Sequence, residues 1–233
     1  MRRPCRRCEE EALTLADVCA AHLEDLQTHR ERILQHLRAG HGHAAVLKGL
    51  DLRGIDLHGL YLEHAGFQEA RLDDADLSDC DLERSSFQRA SLRGANLAGS
   101  RLQVANLQDV DLSGADLSGA HLDGAHLSHA DLSGARLEGC TFAGAQIRGA
   151  NLQGADFRRA MARRASFAGS RLQGADFRGA TLLDVSFLDA EGLDDVITDA
   201  STEGFHDAIG VKKRPPKKPS DDGRGPRPSE MEW

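Results

Sequence analysis

The chain has 233 residues, a formal net charge of −8 at pH 7 and an aromatic content of only 4%. No stretch is long and apolar enough to cross a membrane, and Met1 is followed by Arg-Arg-Pro-Cys rather than by the apolar segment of a secretory signal. These features predict a cytoplasmic protein without a membrane partner. Five of the six prolines follow residue 214, which indicates a regular body and an irregular tail.

The beginning of the chain contains two pairs of metal-ligating side chains, each pair separated by two residues. The four residues are Cys5, Cys8, Cys19 and His22. A tetrahedral structural zinc site uses such a ligand set, because each pair can reach one side of the ion. The pattern resembles a small zinc knuckle, with a thiol turn before ligands at a helix start, and predicts structural Zn2+. Three free thiols and a surface histidine are the alternative.

A helix is predicted to run from Val18 to about Ala39. Asp17 can cap its start, Gly40 can end it, and apolar residues recur between them at helical spacing. These residues are Leu23, Leu26, Ile33, Leu34 and Leu37. Because the stripe must be covered and terminal repeats need a cap, we predict that residues 1–49 form a zinc module and a capping helix.

From Leu50 to Asp189 the chain repeats in steps of five residues. An apolar centre recurs from Leu52 to Phe187 without an insertion or deletion, and a small or apolar residue stands two positions before each centre. A fixed period indicates a repeat architecture, and five residues fit neither an α-helix nor a long strand. Each unit presents two side chains on one face of a short extended segment and then turns. The chain is therefore predicted to wind into a coil with a filled interior.

These units resemble the pentapeptide-repeat family, whose pattern is Ala-(Asp/Asn)-Leu-x-x. The matching segments are Ala75-Asp76-Leu77, Ala95-Asn96-Leu97, Ala115-Asp116-Leu117, Ala155-Asp156-Phe157 and Ala175-Asp176-Phe177. The resemblance covers 140 of the 233 residues, from 50 to 189. It implies an all-β solenoid, a right-handed quadrilateral β-helix with four units per coil. About seven coils, stacked at about 4.8 Å, would give a rod about 34 Å long.

The resemblance also implies a function, because some family members are thought to mimic duplex DNA on DNA gyrase. Five acidic residues are predicted to lie in one outward column: Asp56, Asp76, Asp116, Asp156 and Asp176. Residues 50–140 carry 16 acidic and 7 basic side chains, a net charge of −9. One hypothesis is therefore a protein that binds and protects DNA gyrase or topoisomerase IV, both type II topoisomerases. A C-terminal element makes a dimer in gyrase-directed relatives, and a homodimer is compatible with this sequence.

Residues 141–189 are basic instead, with 4 acidic and 7 basic side chains. Four arginines are predicted to lie on adjoining sides of one coil: Arg158, Arg159, Arg163 and Arg164. They surround Ala162, the clear exception among the apolar centres. Replacing a buried Leu by Ala costs about 2–5 kcal/mol, so either Met161 turns inward or the coil is locally soft. The arginines are a candidate docking site for an acidic partner, and a solvated patch is the alternative.

The five-residue frame ends at Asp189. Leu193, Val196 and Ile197 have helical spacing, so residues 190–210 are predicted to form an irregular and helical cap over the last coil. Residues 211–233 are rich in basic residues and proline, lack an apolar pattern, and are predicted to be disordered. The basic run allows contact with nucleic acid or an acidic surface, and a solubilising tail is the alternative.

No catalytic constellation is recognisable along the repeats. They offer no nucleophile with a matching base, no phosphate-binding glycine loop and no carboxylates paired in a cleft. His121, His126 and His129 are a weak metal candidate, since only Asp123 stands near them as a further ligand. We therefore predict a non-catalytic scaffold that binds a protein of unknown identity and has no small-molecule substrate. The topoisomerase-protecting DNA mimic is the alternative.

Overall fold

The structure, a computed structural model, describes residues 26–211. Its first element is helix α1 (Leu26–His36), which continues into a π-helical turn (Leu37–His41). Gly40 interrupts this turn at a φ of 91°, a left-handed value that glycine adopts without strain. Ile33 and Leu37 are buried and belong to the same apolar core as the repeats. Helix α1 thus covers the N-terminal end of the repeats.

The segment after α1 lies tightly against the first repeats. A Cβ added to Gly42 would fall well within contact distance of the Tyr61 carbonyl oxygen, so the two backbones approach as only glycine allows. Arg38 pairs with Asp56 at 3.0 Å. The cap is therefore held by apolar burial, by close backbone packing and by one exposed ion pair. None of the helices in residues 26–211 is long and apolar enough to cross a membrane.

From residue 46 the backbone winds with a period of twenty residues. Parallel bridges join residues twenty positions apart, from Val46 with Gly66 to Arg171 with Glu191, and successive bridges begin five residues apart. Each coil therefore has four sides, and each side pairs through one bridging residue, without a longer strand anywhere in the described range. We name the sides A, B, C and D after their apolar centres, which in the first complete coil are Leu52, Leu57, Leu62 and Phe67.

One unit, residues 75–79, shows why the five-residue pattern folds this way. Ala75 and Leu77 point inward and are buried, while Asp76 between them points outward and bridges to the neighbouring coils. Its Oδ1 accepts a hydrogen bond from the Ser78 backbone N–H at 3.0 Å and so fixes the turn that follows. Asp79 completes that turn at a φ of 55°, a position at which many other units carry glycine.

The core is a stack of Leu and Phe side chains that fills the coil. Ala162 is fully buried, and Met161 next to it is 53% exposed, so Met161 does not turn inward. Aromatic rings lie at the centres of the neighbouring units. The Phe157 ring lies edge-to-face with Phe167 at a centroid distance of 5.8 Å and meets Phe142 of the preceding coil at 5.8 Å. The small centre therefore lies in a part of the core that is rich in aromatic rings.

Two free cysteines, Cys80 and Cys140, lie in the core at the small inward position of side C. Each thiol donates to a carbonyl of the preceding coil, Cys80 Sγ to Leu57 at 2.9 Å and Cys140 Sγ to Leu117 at 2.8 Å. Burial raises the pKa of both thiols to about 12. They act as small core side chains with a weak donor.

The winding continues past the end of the five-residue frame. Asp176 pairs with Ile197, Thr181 with Glu203 and Ser186 with Ile209. The bridging residues are now six positions apart: Glu191, Ile197, Glu203 and Ile209. Residues 190–210 thus continue the winding by one irregular turn of the coil. Their helical content is two 3-10 turns (Leu193–Asp195 and Phe205–Asp207), each preceded by a left-handed glycine.

Candidate interaction surfaces

The predicted acidic column exists, and it lies on side B. Its members follow one another in the bridges from Asp56 to Asp176, interrupted by Asn96 and Arg136. All five carboxylates accept a hydrogen bond from the backbone N–H two residues later, at 3.0–3.1 Å in four of them and 2.9 Å in Asp116. The aspartates are therefore built into the turns of the coil, which gives them a structural role independent of any partner.

Arginines offset much of this negative charge. Arg136 stands between Asp116 and Asp156 and pairs with Asp116 at 3.3 Å. Further along, hydrogen bonds from Arg158 lower the pKa of Asp156, and those from Arg178 lower the pKa of Asp176. The carboxylates in the second half of side B therefore have arginine partners, and side B is not a continuous acidic strip.

The four arginines predicted as one docking site divide into two groups. Arg158 pairs with Asp156 at 2.6 Å and with Glu138 at 3.1 Å, and Arg159 pairs with Glu138 at 3.4 Å. These two arginines lie at the corner after side B. Glu138 stands twenty residues before Arg158, so the period places it directly one coil above. The first pair is therefore largely engaged within the rod.

Arg163 and Arg164 lie at the next corner, after side C, and are differently placed. Among the described residues the Arg164 guanidinium forms an ion pair with Asp184 alone, at 3.8 Å, and both side chains are mostly exposed. Arg163 makes no ion pair with any described residue. Beside them Met161 and Leu183 are 53% and 42% exposed. We call Met161, Arg163, Arg164 and Leu183 the side-C patch; it combines apolar surface with cations that the rod itself leaves available.

The predicted metal ligands have two outcomes. Cys5, Cys8, Cys19 and His22 lie outside the described residues, so the zinc knuckle stays a prediction. His121, His126 and His129 are described, and their ring nitrogens do not come together with other ligand atoms as a group that could hold an ion. The described residues contain one such group, formed by His43, Glu63 and His64, which the sequence analysis missed.

Comparison with known proteins agrees with this geometry. The family model of pentapeptide repeats (8 copies) matches residues 43–79, 65–103, 105–144 and 141–179. The chain belongs to the pentapeptide-repeat family, and its fold is the right-handed β-helix of that family. Proteins of this kind are typically non-catalytic scaffolds. No curated protein sequence matches the chain.

Solved structures of other pentapeptide repeat proteins are similar to this chain. One is HetL, a pentapeptide repeat protein involved in heterocyst differentiation regulation from the cyanobacterium Nostoc sp. strain PCC 7120. Its TM-score with this chain is 0.59 at 27% sequence identity, and the match covers 74% of this chain and 93% of HetL. QnrB1, a plasmid-mediated fluoroquinolone resistance protein, has a TM-score of 0.41 and 21% identity, over 67% of this chain and 82% of QnrB1. A pentapeptide repeat protein from the Arabidopsis thaliana thylakoid lumen has a TM-score of 0.31 and 33% identity, over 48% of this chain and 71% of that one.

Proposed function

We propose that the chain is a non-catalytic scaffold that binds an acidic segment of another protein through the side-C patch. The observation that carries this proposal is Arg163, a cation without an ion pair among the described residues, flanked by the exposed Met161 and Leu183. Protein interfaces are enriched in Met and Arg, and arginine recognises carboxylates in a fixed two-pronged geometry. HetL, which shares the fold, is involved in regulation, and a regulatory role is compatible with a binding scaffold.

Site-specific photo-crosslinking in the native host tests this proposal. A benzoylphenylalanine in place of Leu183 should give a discrete protein adduct, whereas the same probe at Gln108, an exposed turn residue of side D, should give none. Charge reversal by Arg163→Glu with Arg164→Glu should abolish the adduct. Arg93→Glu, at an exposed arginine that contacts Asp111 at 3.8 Å, is the matched control and should preserve it. An adduct that survives the double reversal would contradict the proposal.

A DNA mimic directed at a type II topoisomerase is the second candidate. The net charge of −9 over residues 50–140 favours it, whereas the turn-capping role of the side-B aspartates and the interleaved arginines weaken it. The two functions predict different results with purified DNA gyrase and duplex DNA. A mimic should bind gyrase in competition with the duplex and be indifferent to reversal of Arg163 and Arg164. The scaffold we propose should not compete with the duplex.

A further inference from the structure

Two consecutive coils bring three metal-ligating side chains together near the N-terminal cap. His43 stands twenty residues before Glu63, so that the two lie one above the other at the corner after side C, and His64 follows Glu63 in the same turn. One ligand atom from each residue lies within 4.8 Å of the other two. Two ligands of one tetrahedral zinc ion, each at about 2.1 Å, are about 3.4 Å apart. Side-chain adjustments on the order of 1 Å therefore suffice to close the group around an ion.

The backbone holds these residues in place without a metal. The Ala44 N–H donates to the Glu63 carbonyl at 2.8 Å, and the Gly66 N–H donates to the Ala45 carbonyl at 2.8 Å. His64 has a left-handed φ of 60°, a conformation that sets the direction of its side chain and is uncommon outside glycine. The His43 and His64 rings already meet edge-to-face with centroids 5.5 Å apart. The two histidines come from segments whose relative position is fixed, so an ion would find most of its site assembled.

The charges around the group also suit a cation. Glu63 lies 3.4 Å from His64 Nε2 and 3.6 Å from the Arg84 guanidinium. Arg84 lies closer to Glu83, at 3.0 Å, so it keeps an ion-pair partner when Glu63 turns to a metal. Two imidazoles and one carboxylate favour Zn2+, Ni2+ or Cu2+ over Ca2+ or Mg2+, which prefer oxygen ligands throughout. All three side chains reach solvent, so water can complete the coordination.

We propose that His43, Glu63 and His64 bind one divalent transition-metal ion, of which Zn2+ is the representative, and that the ion ties the segment following α1 to the first coil. The site shares no residue with the predicted cysteine-containing knuckle or with the side-C patch. Its expected effect is mechanical. An ion bridging His43 and His64 would resist separation of the N-terminal cap from the repeats, since any opening there breaks a metal bond.

The test is a Zn2+ titration of the metal-free full-length chain by calorimetry, with bound zinc counted per chain. His64→Asn is the main variant, because asparagine tolerates the left-handed backbone, and His43→Gln removes the ligand from the other coil. Each should weaken one class of site by at least about tenfold, since losing even an outer-shell partner weakens metal sites by about 10–100-fold. His58→Gln is the matched control, because His58 is an exposed histidine of the same coil on another side, and it should bind Zn2+ like the unmodified chain.

Amide hydrogen exchange gives an independent reading. Zn2+ should slow exchange in α1 more strongly in the unmodified chain and in His58→Gln than in His64→Asn or His43→Gln. Unchanged zinc binding in both histidine variants would overturn the proposal. Loss in His64→Asn without loss in His43→Gln would also overturn it, because the ion would then not join the two coils. A knuckle that binds zinc contributes equally in every variant and does not affect these comparisons.

Discussion

Substitution of Ala162 by Leu tests whether the space beside this small centre is filled or empty. If it were empty, three added methylene-sized groups, each worth about 0.8 kcal/mol on burial, would stabilise the protein by about 2.4 kcal/mol. In the structure Ala162 is fully buried, and the Phe157 ring of the same coil lies with its centroid 5.8 Å from the ring centroids of both Phe142 and Phe167. We therefore expect overpacking instead, with a loss of about 1–3 kcal/mol. The two cases differ in sign and by about 3–5 kcal/mol.

The assay is equilibrium unfolding in guanidinium chloride, in which a shifted midpoint at constant slope reports stability. Leu182 lies on the same side as Ala162 in the next coil, and Leu182→Ala is the control in which a large side chain becomes small. It should lower the free energy of unfolding by about 2–5 kcal/mol. Phe142→Leu should relieve the clash, so that the double variant with Ala162→Leu loses less than the sum of the single losses, by about 0.5–3 kcal/mol. A neutral or stabilising Ala162→Leu would refute the reasoning.

Three further outcomes follow from the described contacts. Gly42→Ala should destabilise α1 by about 2–3 kcal/mol, which makes amide exchange in α1 about 30- to 150-fold faster. Gly114→Ala, at a turn with open space around it, is the control and should leave amide exchange in α1 unchanged. With the three other cysteines replaced by serine, Cys80 and Cys140 should resist a thiol reagent until the protein unfolds, because burial raises their pKa to about 12; rapid reaction in the folded state would contradict this. The pKa of Asp156 is lowered in the folded state. Its contribution to stability should therefore be complete above about pH 4 and be lost as the pH falls through the lower pKa of the folded state. In unfolding experiments from about pH 7 to about pH 2, Asp156→Asn should reduce this loss of stability at low pH.

The sequence predicted the winding well because the period determines which side chains point inward. It did not predict what the outward aspartates do, since a column of like charges looks the same whether each carboxylate faces solvent or caps a turn. The division of the arginines was accessible in principle. Glu138 precedes Arg158 by one period of twenty residues, and a search for opposite charges at that spacing would have paired them.

Other features depended on three-dimensional packing. The edge-to-face arrangement of the Phe157 and Phe167 rings across the coil is one example, since spacing alone does not reveal how two rings meet. At the C-terminal end, the helical spacing of the apolar residues did not indicate that the bridging residues are six positions apart. The better signal was the pair Gly192 and Gly204, each of which precedes a 3-10 turn. The metal group was also missed, although His43 and Glu63 are one period apart.

The corner after side C carries both proposed sites, and the repeat geometry explains why. In each five-residue unit the two inward residues must fill the core, and the bridging residue between them often caps the turn. The last two residues of the unit form the turn, and they can therefore vary with the least effect on the winding. At this corner the two turn residues are Glu63 and His64 in the first complete coil and Arg163 and Arg164 five coils further on. At about 4.8 Å per coil, the two pairs are about 24 Å apart along the rod. A rod transmits little between such points, because each coil contacts only its neighbours. His64→Asn should therefore leave the adduct formed at position 183 unchanged, and loss of that adduct would show that the two sites act as one.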